Sequence, residues 1–381
     1  MGTGWLRLNT RPGYAWTAIP VLVCATVWGL ASSWPHDGRL WDFGSFLLSG
    51  HAANRGLDPY GTEALHSYTS QHPVSLTVPN LNPPLSVLVF KPIAQLDPRR
   101  AFRVWWGVSL FLYLGCVVWL VRSGPGDKLL RGLWSVSLAG LWMTLALGQI
   151  YVPLVVLVVV AYRLFDRLAV VPAGLCVGMV AAWKPTFLLW PVFLFAAGQT
   201  AAAYTSVGVF AGACFLPAAL LGPDIYTKWV AALGRYDAMQ VATNMSVTAW
   251  LSTFLPKTAV GIIAVAAVVG VGTVLARRRP CCALASSDLA LVLTVALSPI
   301  SWAGYTLMLL PVFLRRLWPR EILLSAAVFI FPANLLWQWS TAYPRDIVGL
   351  RLLYPAAVLL LMVGLLRHSP IRAERDGVPR E

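Results

Sequence analysis

Thirteen apolar runs divided by short polar breaks fill most of this chain, at 14–34, 83–96, 104–121, 131–147, 150–164, 168–182, 185–197, 203–222, 258–276, 285–300, 302–314, 321–339 and 348–366. Continuous runs of this length predict α-helices that cross a bilayer, because a lipid-exposed segment must satisfy its own backbone hydrogen bonds. Alternating polarity in short segments, the mark of an outer-membrane barrel, is missing from the sequence. Several runs fall short of the roughly 20 residues a perpendicular span needs. Pro and Gly interrupt many of them, which is tolerated where a helix lines a cavity. No internal repeat or low-complexity segment stands out, so the pattern predicts a single all-α polytopic domain over 1–381.

Two polar stretches and a tail separate from this pattern. Residues 35–82 form a first outer loop, 223–257 a second, and 367–381 a short cytoplasmic tail. In the first loop Phe43, Phe46, Leu47 and Gly50 recur at helical spacing, with Ser45, His51 and Arg55 among the polar positions. That spacing predicts an amphipathic helix lying on the bilayer surface. It ends near Gly56, and Asp58-Pro59-Tyr60 follows as a turn.

Composition agrees with the pattern. Hydrophobic residues make up 58% and charged residues 12%, with mean hydropathy +0.69. A soluble domain carries about 25% charged residues, so that class is excluded. The net charge of +14 does not imply nucleic acid, because Arg clusters sit at span ends and no soluble basic domain exists to hold a duplex. The eighteen Trp suit interfacial belts. The first run, preceded by Arg7 and Arg11, is long and has only a weak cleavage site at Ala31-Ser32-Ser33, so it reads as a retained anchor. Cys24, Cys116, Cys176 and Cys214 lie in apolar runs, and Cys281-Cys282 follow an Arg triplet; no spacing matches a zinc site or disulfide framework.

Basic clusters orient the chain. Arg277-Arg278-Arg279, Arg315-Arg316 with Arg320, Arg163 with Arg167, and the tail from Arg367 all read as cytoplasmic. Counting spans from either end puts Asp42, Gln149, Lys184, the 223–257 loop and Ser298-Pro299 together on the outer face. Thirteen runs cannot join two cytoplasmic termini, so one stays on one side. Candidates are 83–96, bracketed by Pro83-Pro84 and Asp97-Pro98, and either short run flanking Gln149. Arg99, Arg100 and Arg103 compete with Arg122, Lys128 and Arg131 for the cytoplasm.

On that outer face a few polar residues stand out. Asp42 is a scarce carboxylate, one of 15 acidic residues, placed to act as a base or to cap the helix that follows. Asn82 precedes paired prolines, which suit either a rigid helix start or a site. Gln149 breaks two apolar runs, as a site residue or an interhelical hydrogen bond. Lys184 lies between two short spans, where it either snorkels or meets an anion such as phosphate. Asp58 reads first as a turn residue. His36, His51, His66 and His72 gather near the first outer loop without metal-ligand spacing.

The order of these motifs resembles glycosyltransferase family 87, within the GT-C class. Five marks carry the likeness across about 40–305: Asp42 with Gly56-Leu57-Asp58-Pro59-Tyr60, Asn82-Pro83-Pro84 with Lys91-Pro92, Leu147-Gly148-Gln149, Lys184-Pro185, and Ser298-Pro299-Ile300-Ser301-Trp302. Three positions depart from the family pattern. Tyr151 and Asn244-Met245-Ser246 stand where the family often has Asn and Asn-Gln-Ser, and Gly304-Tyr305 where it often has His.

The resemblance implies a GT-C fold of about 12 transmembrane helices in a bacterial plasma membrane, with an external site. The donor would be a polyprenyl-phosphate sugar, and the acceptor a glycolipid or cell-envelope glycan. Mannose is the first expectation for the sugar and arabinofuranose the second. Arg outnumbers Lys and Ala is abundant, a bias associated with high-GC bacteria. Asp42 would be the general base of an inverting transfer. Lys184, helped by Gln149, would stabilise the leaving phosphate, with Asn82, Asn244, Ser298, Tyr305, Asp58 and Tyr60 binding substrate. No metal or other cofactor is required. A non-enzymatic flippase or transporter is the reading from another class; it predicts paired charges deep in spans or repeat symmetry, and the sequence has neither.

Overall fold

The computed structural model describes residues 12–35, 40–61, 80–235, 244–277, 282–342 and 351–368. Among them the regular elements are all helices. The predicted runs map onto these helices closely. Pro98–Ser123, Thr200–Leu221 and Lys257–Arg277 are each long and apolar enough to cross a membrane alone. Lys128–Ser137 and Ala139–Leu147 qualify as one span bent by 40°. The shorter apolar helices, such as Val170–Trp183 and Ala283–Leu297, pack against these.

Sequence chemistry explains several boundaries. Asp97 caps Pro98–Ser123 by accepting from the Arg100 amide at 2.9 Å, with Pro98 at the first helical position. Asp127 caps Lys128–Ser137 in the same way through Leu130. Pro185 stops Val170–Trp183 at Lys184 and opens a 3₁₀ turn over Pro185–Leu188. Close approach of Val170–Trp183 and Thr200–Leu221 depends on Gly174 and Gly178. A Cβ there would lie 2.6 Å from the Ala202 carbonyl oxygen and 2.5 Å from that of Ser206. The Ser206 hydroxyl donates to the Gly174 carbonyl at 3.0 Å across the same seam.

The segment expected to form the first outer loop corrects one expectation. Trp41–Asn54 is a helix that ends before Gly56, as the sequence predicts, but its face is not amphipathic: every residue from Phe43 to Ala52 is buried. Ser45 and His51, expected on a polar side, lie inside. Neighbouring elements supply the reason. Phe43 and Phe46 pack on Phe90 of the Leu85–Ile93 helix, with ring centroids 5.8 and 4.8 Å apart, and Phe43 also meets Phe102 at 5.3 Å. The helix is thus a wall of the core.

Polar groups collect at two opposite ends of the bundle. At one end Arg131 donates to the carbonyls of Leu314 and Arg316, Arg315 pairs with Asp166 at 3.0 Å, Arg316 pairs with buried Asp288, and Arg367 pairs with Glu321 at 2.8 Å. The other end holds Asp42, Gln149 and Lys184. The Trp106 indole donates to the Ser33 carbonyl at 3.0 Å, which puts the start of Pro98–Ser123 at the Asp42 end. The far end of that helix abuts Leu314, since a Cβ on Gly124 would lie 2.2 Å from the Leu314 carbonyl oxygen. Leu85–Ile93 therefore has both ends on the Asp42 side, and its nine residues reach only about 14 Å at 1.5 Å per residue.

Candidate active site

Asp42 sits in the first turn of Trp41–Asn54, but it is not the cap. Leu40 is the N-cap, no side chain caps that end, and the Asp42 carboxylate instead accepts from the Gln149 side-chain amide. Trp41 before it has φ of 42°, a left-handed conformation rare for an aromatic residue. Strain of this kind persists only where the surroundings enforce it. Here the Ser45 hydroxyl donates to the Asp42 carbonyl at 2.7 Å, and the Gly44 amide to that of Leu40 at 3.0 Å.

Gln149 reaches Asp42 because of Gly148. With φ of 65°, Gly148 ends Ala139–Leu147 in the left-handed region, and a Cβ there would lie 2.5 Å from Cβ of Phe43. Only glycine permits both the turn and the approach. The Gln149 side-chain amide must present its nitrogen to a carboxylate, which fixes its oxygen as the remaining acceptor. That oxygen is buried without a hydrogen-bond partner.

Lys184 lies in the turn after Val170–Trp183, outside the spans. Its ammonium sits over the rings of Tyr151 and Tyr305, 5.1 and 5.7 Å from their centroids, a cation–π arrangement. The two rings are 5.1 Å apart, and Phe187 stacks on Tyr305 at 5.7 Å. No carboxylate lies within ion-pairing distance of the ammonium among the described residues.

Burial governs the charge states. Desolvation raises the Asp42 carboxyl from 3.8 to about 6, against the Gln149 hydrogen bond and the Lys184 charge, which both lower it. Desolvation likewise lowers Lys184 from 10.5 to about 8, with Asp42 pulling it back up. Between these values the site holds a carboxylate and an ammonium together.

The other expected residues divide into two sets. Asn82 and Tyr305 line the same cavity as Asp42, Gln149 and Lys184. Four others stand behind its wall. The Asn244 side chain donates to the Pro299 carbonyl at 2.7 Å and accepts from the Ser301 amide at 3.1 Å, so it shapes the 298–302 loop. The Ser298 hydroxyl donates to the Ile300 carbonyl at 2.6 Å. Asp58 accepts from the Tyr60 amide at 2.9 Å in the turn read from sequence. The Tyr60 hydroxyl donates to the Asn82 carbonyl at 2.8 Å and braces it.

The cavity measures about 960 Å³. Five tryptophans line it, Trp28, Trp41, Trp142, Trp229 and Trp302, together with the amides of Asn334 and Gln338. Of these only Trp302 belongs to a motif singled out in the sequence; the other tryptophans, Asn334 and Gln338 have no local signature, because their convergence depends on contacts far apart in the chain. No group of three or more His, Cys, Asp or Glu side chains converges among the described residues. His36, His66 and His72 lie outside them. A cavity holding one desolvated carboxylate, one aimed cation and many indoles suits proton abstraction from a hydroxyl beside a bound anion.

The family model described as "Glycosyltransferase family 87" matches residues 80–299, more than half of the chain. The chain belongs to glycosyltransferase family 87. A relative from Mycobacterium tuberculosis, a polyprenol-phosphate-mannose-dependent alpha-(1-2)-phosphatidylinositol mannoside mannosyltransferase, is 26% identical over 353 residues, covering 80% of this chain and 82% of its own length. No solved structure matches. As a family 87 member the protein is a glycosyltransferase, and the transporter reading falls away.

Proposed function

We propose that the protein transfers mannose from a polyprenyl-phosphate donor to a glycolipid acceptor at the outer face of a bacterial plasma membrane. The observation that carries this is the pairing of Asp42 and Lys184 in one cavity of a family 87 chain. The relative's mannose dependence favours mannose over arabinofuranose. Twelve passes follow if Leu85–Ile93 stays on the outer side, which agrees with both its ends lying on the Asp42 side of the bundle. Both termini are then cytoplasmic, with the Arg131, Arg315 and Arg316 end facing in.

In the transfer, an acceptor hydroxyl oxygen attacks the anomeric carbon while the bond from that carbon to the phosphate oxygen breaks. Asp42 takes the hydroxyl proton. The bonding electrons pass to the phosphate oxygen, and the lipid phosphate departs with one more negative charge, held by Lys184. Attack opposite to the leaving group inverts the anomeric centre. Phosphate departs without a protonated acid, so one carboxylate suffices where glycoside hydrolysis uses two.

The test is a donor comparison with purified protein in lipid nanodiscs. Transfer from polyprenyl-phosphate mannose is expected, undiminished by chelator. Robust transfer from a nucleotide-linked mannose, or preference for polyprenyl-phosphate arabinofuranose, contradicts the reading.

A further inference from the structure

Two residues of the cavity wall, Asn82 and Gln149, carry amide oxygens with no hydrogen-bond partner among the described residues, and both oxygens are chemically fixed as acceptors. Gln149 is oriented by donating its nitrogen to Asp42. Asn82 is oriented by a longer chain. Asn80 Oδ1 accepts from the Asn82 backbone amide at 2.9 Å, so it cannot be a nitrogen, and it also accepts from Asn82 Nδ2 at 3.2 Å. Asn80 Nδ2 in turn donates to the hydroxyls of Ser49 and Ser86, both at 3.1 Å. Tyr60 holds the Asn82 carbonyl from behind. Each amide nitrogen has a partner, whereas each oxygen, Oδ1 of Asn82 and Oε1 of Gln149, is buried with none among the described residues, in residues only 5% and 6% exposed.

A buried acceptor without a donor is unfavourable, and a ligand that donates removes the cost. Phosphate oxygens carry no hydrogen to give near neutral pH, so these oxygens repel them. Sugar hydroxyls donate. The cavity is therefore divided by polarity. Lys184 offers a cation and suits phosphate, whereas Asp42, Gln149 Oε1 and Asn82 Oδ1 offer only acceptors and suit a polyol.

We infer that Asn82 and Gln149 form the subsite for the acceptor sugar, each oxygen taking one hydroxyl beside the hydroxyl that Asp42 deprotonates. The acceptor class is a pyranoside with free hydroxyls flanking the attacked position. Gln149 thereby belongs to the acceptor side, not to the leaving phosphate. This rests on the proposed mannosyl transfer.

The experiment uses purified protein, polyprenyl-phosphate mannose as donor, and octyl α-mannoside or each of its monodeoxy derivatives as acceptor. In the wild type, two derivatives besides that lacking the attacked hydroxyl each lose roughly ten- to a hundredfold in kcat/KM, the effect of a buried acceptor left unpaired. In Asn82→Leu one of these two derivatives and octyl mannoside react within about threefold of each other, the other derivative keeps its penalty through Gln149, and the KM for donor is unchanged, which also reports an intact fold. Asn82→Ala serves the same purpose if Leu disturbs folding. An equal deoxy penalty in the wild type and the Asn82 variants, or a changed donor KM with unchanged acceptor discrimination, overturns the subsite. A wild-type protein that uses the donor with other acceptors but ignores octyl mannoside overturns the pyranoside class. Failure to use the donor at all overturns the proposed transfer itself.

Discussion

Lys184 and Asp42 carry opposite burdens, and pH separates them. The Asp42 carboxyl near 6 must be ionised to act as base, so kcat/KM rises as pH climbs through about 6. The Lys184 ammonium near 8 must be protonated to hold phosphate, so kcat/KM falls as pH passes about 8. A bell-shaped profile between those limits is expected. Lys184→Met keeps the apolar stem over Tyr151 and Tyr305 and removes the charge. Its turnover at saturating donor falls roughly ten- to a thousandfold, as for loss of one aimed donor worth about 2–4 kcal/mol, the alkaline limb disappears, and the acid limb moves to higher pH because the Lys184 charge no longer lowers the Asp42 carboxyl. A wild-type rate and profile in Lys184→Met rules out the phosphate role. Asp42, Gln149 and Lys184 were legible as polar residues placed where apolar spans break. The cation–π seat was not, because Tyr151 and Tyr305 come from distant segments, and their convergence has no local signature.

Helix boundaries matter most where they deliver a side chain. Gly148 turns the chain so that Gln149 meets Asp42 and leaves no room for a Cβ against Phe43. Gly148→Ala pays a left-handed penalty of about 1–2 kcal/mol besides the overlap, and displaces Gln149. Lower thermal stability and at least a roughly tenfold fall in turnover are expected, since a 1 Å misplacement near the chemistry can cost about a hundredfold. Gly107→Ala, on an exposed helix face with open space around it, is the control and leaves turnover unchanged. Apolar periodicity located nearly every helix, because span length and hydrophobicity are local properties. It misjudged Trp41–Asn54, since the groups that bury its polar side are remote in sequence, Ser49 for example bonding the Pro59 carbonyl and the Asn80 side chain. It also missed the Gly174–Gly178 seam, whose meaning depends on the helix packed across it.

At the scale of the whole molecule, the two polar ends do different work. The Arg131–Leu314 and Asp288–Arg316 contacts tie helices together far from the cavity, and Tyr162 adds a hydrogen bond to Asp288 at 2.8 Å. Asp288→Ala leaves Arg316 and Tyr162 without that partner and is expected to cost about 3 kcal/mol, seen as a lower unfolding temperature, while folded protein keeps its donor and acceptor KM. An equal loss of acceptor affinity shows that the ends are coupled. The clustering of Arg at span ends made this division legible in the sequence, whereas the pairing partners at the Arg131 end needed the fold. The central claim concerns the Asp42 end, and Asp42→Asn tests it most directly. The substitution keeps the shape of the side chain and removes its basicity. Mannosyl transfer by the purified variant should fall by at least roughly a hundredfold with donor binding and thermal stability retained, whereas near-normal turnover contradicts Asp42 as the base.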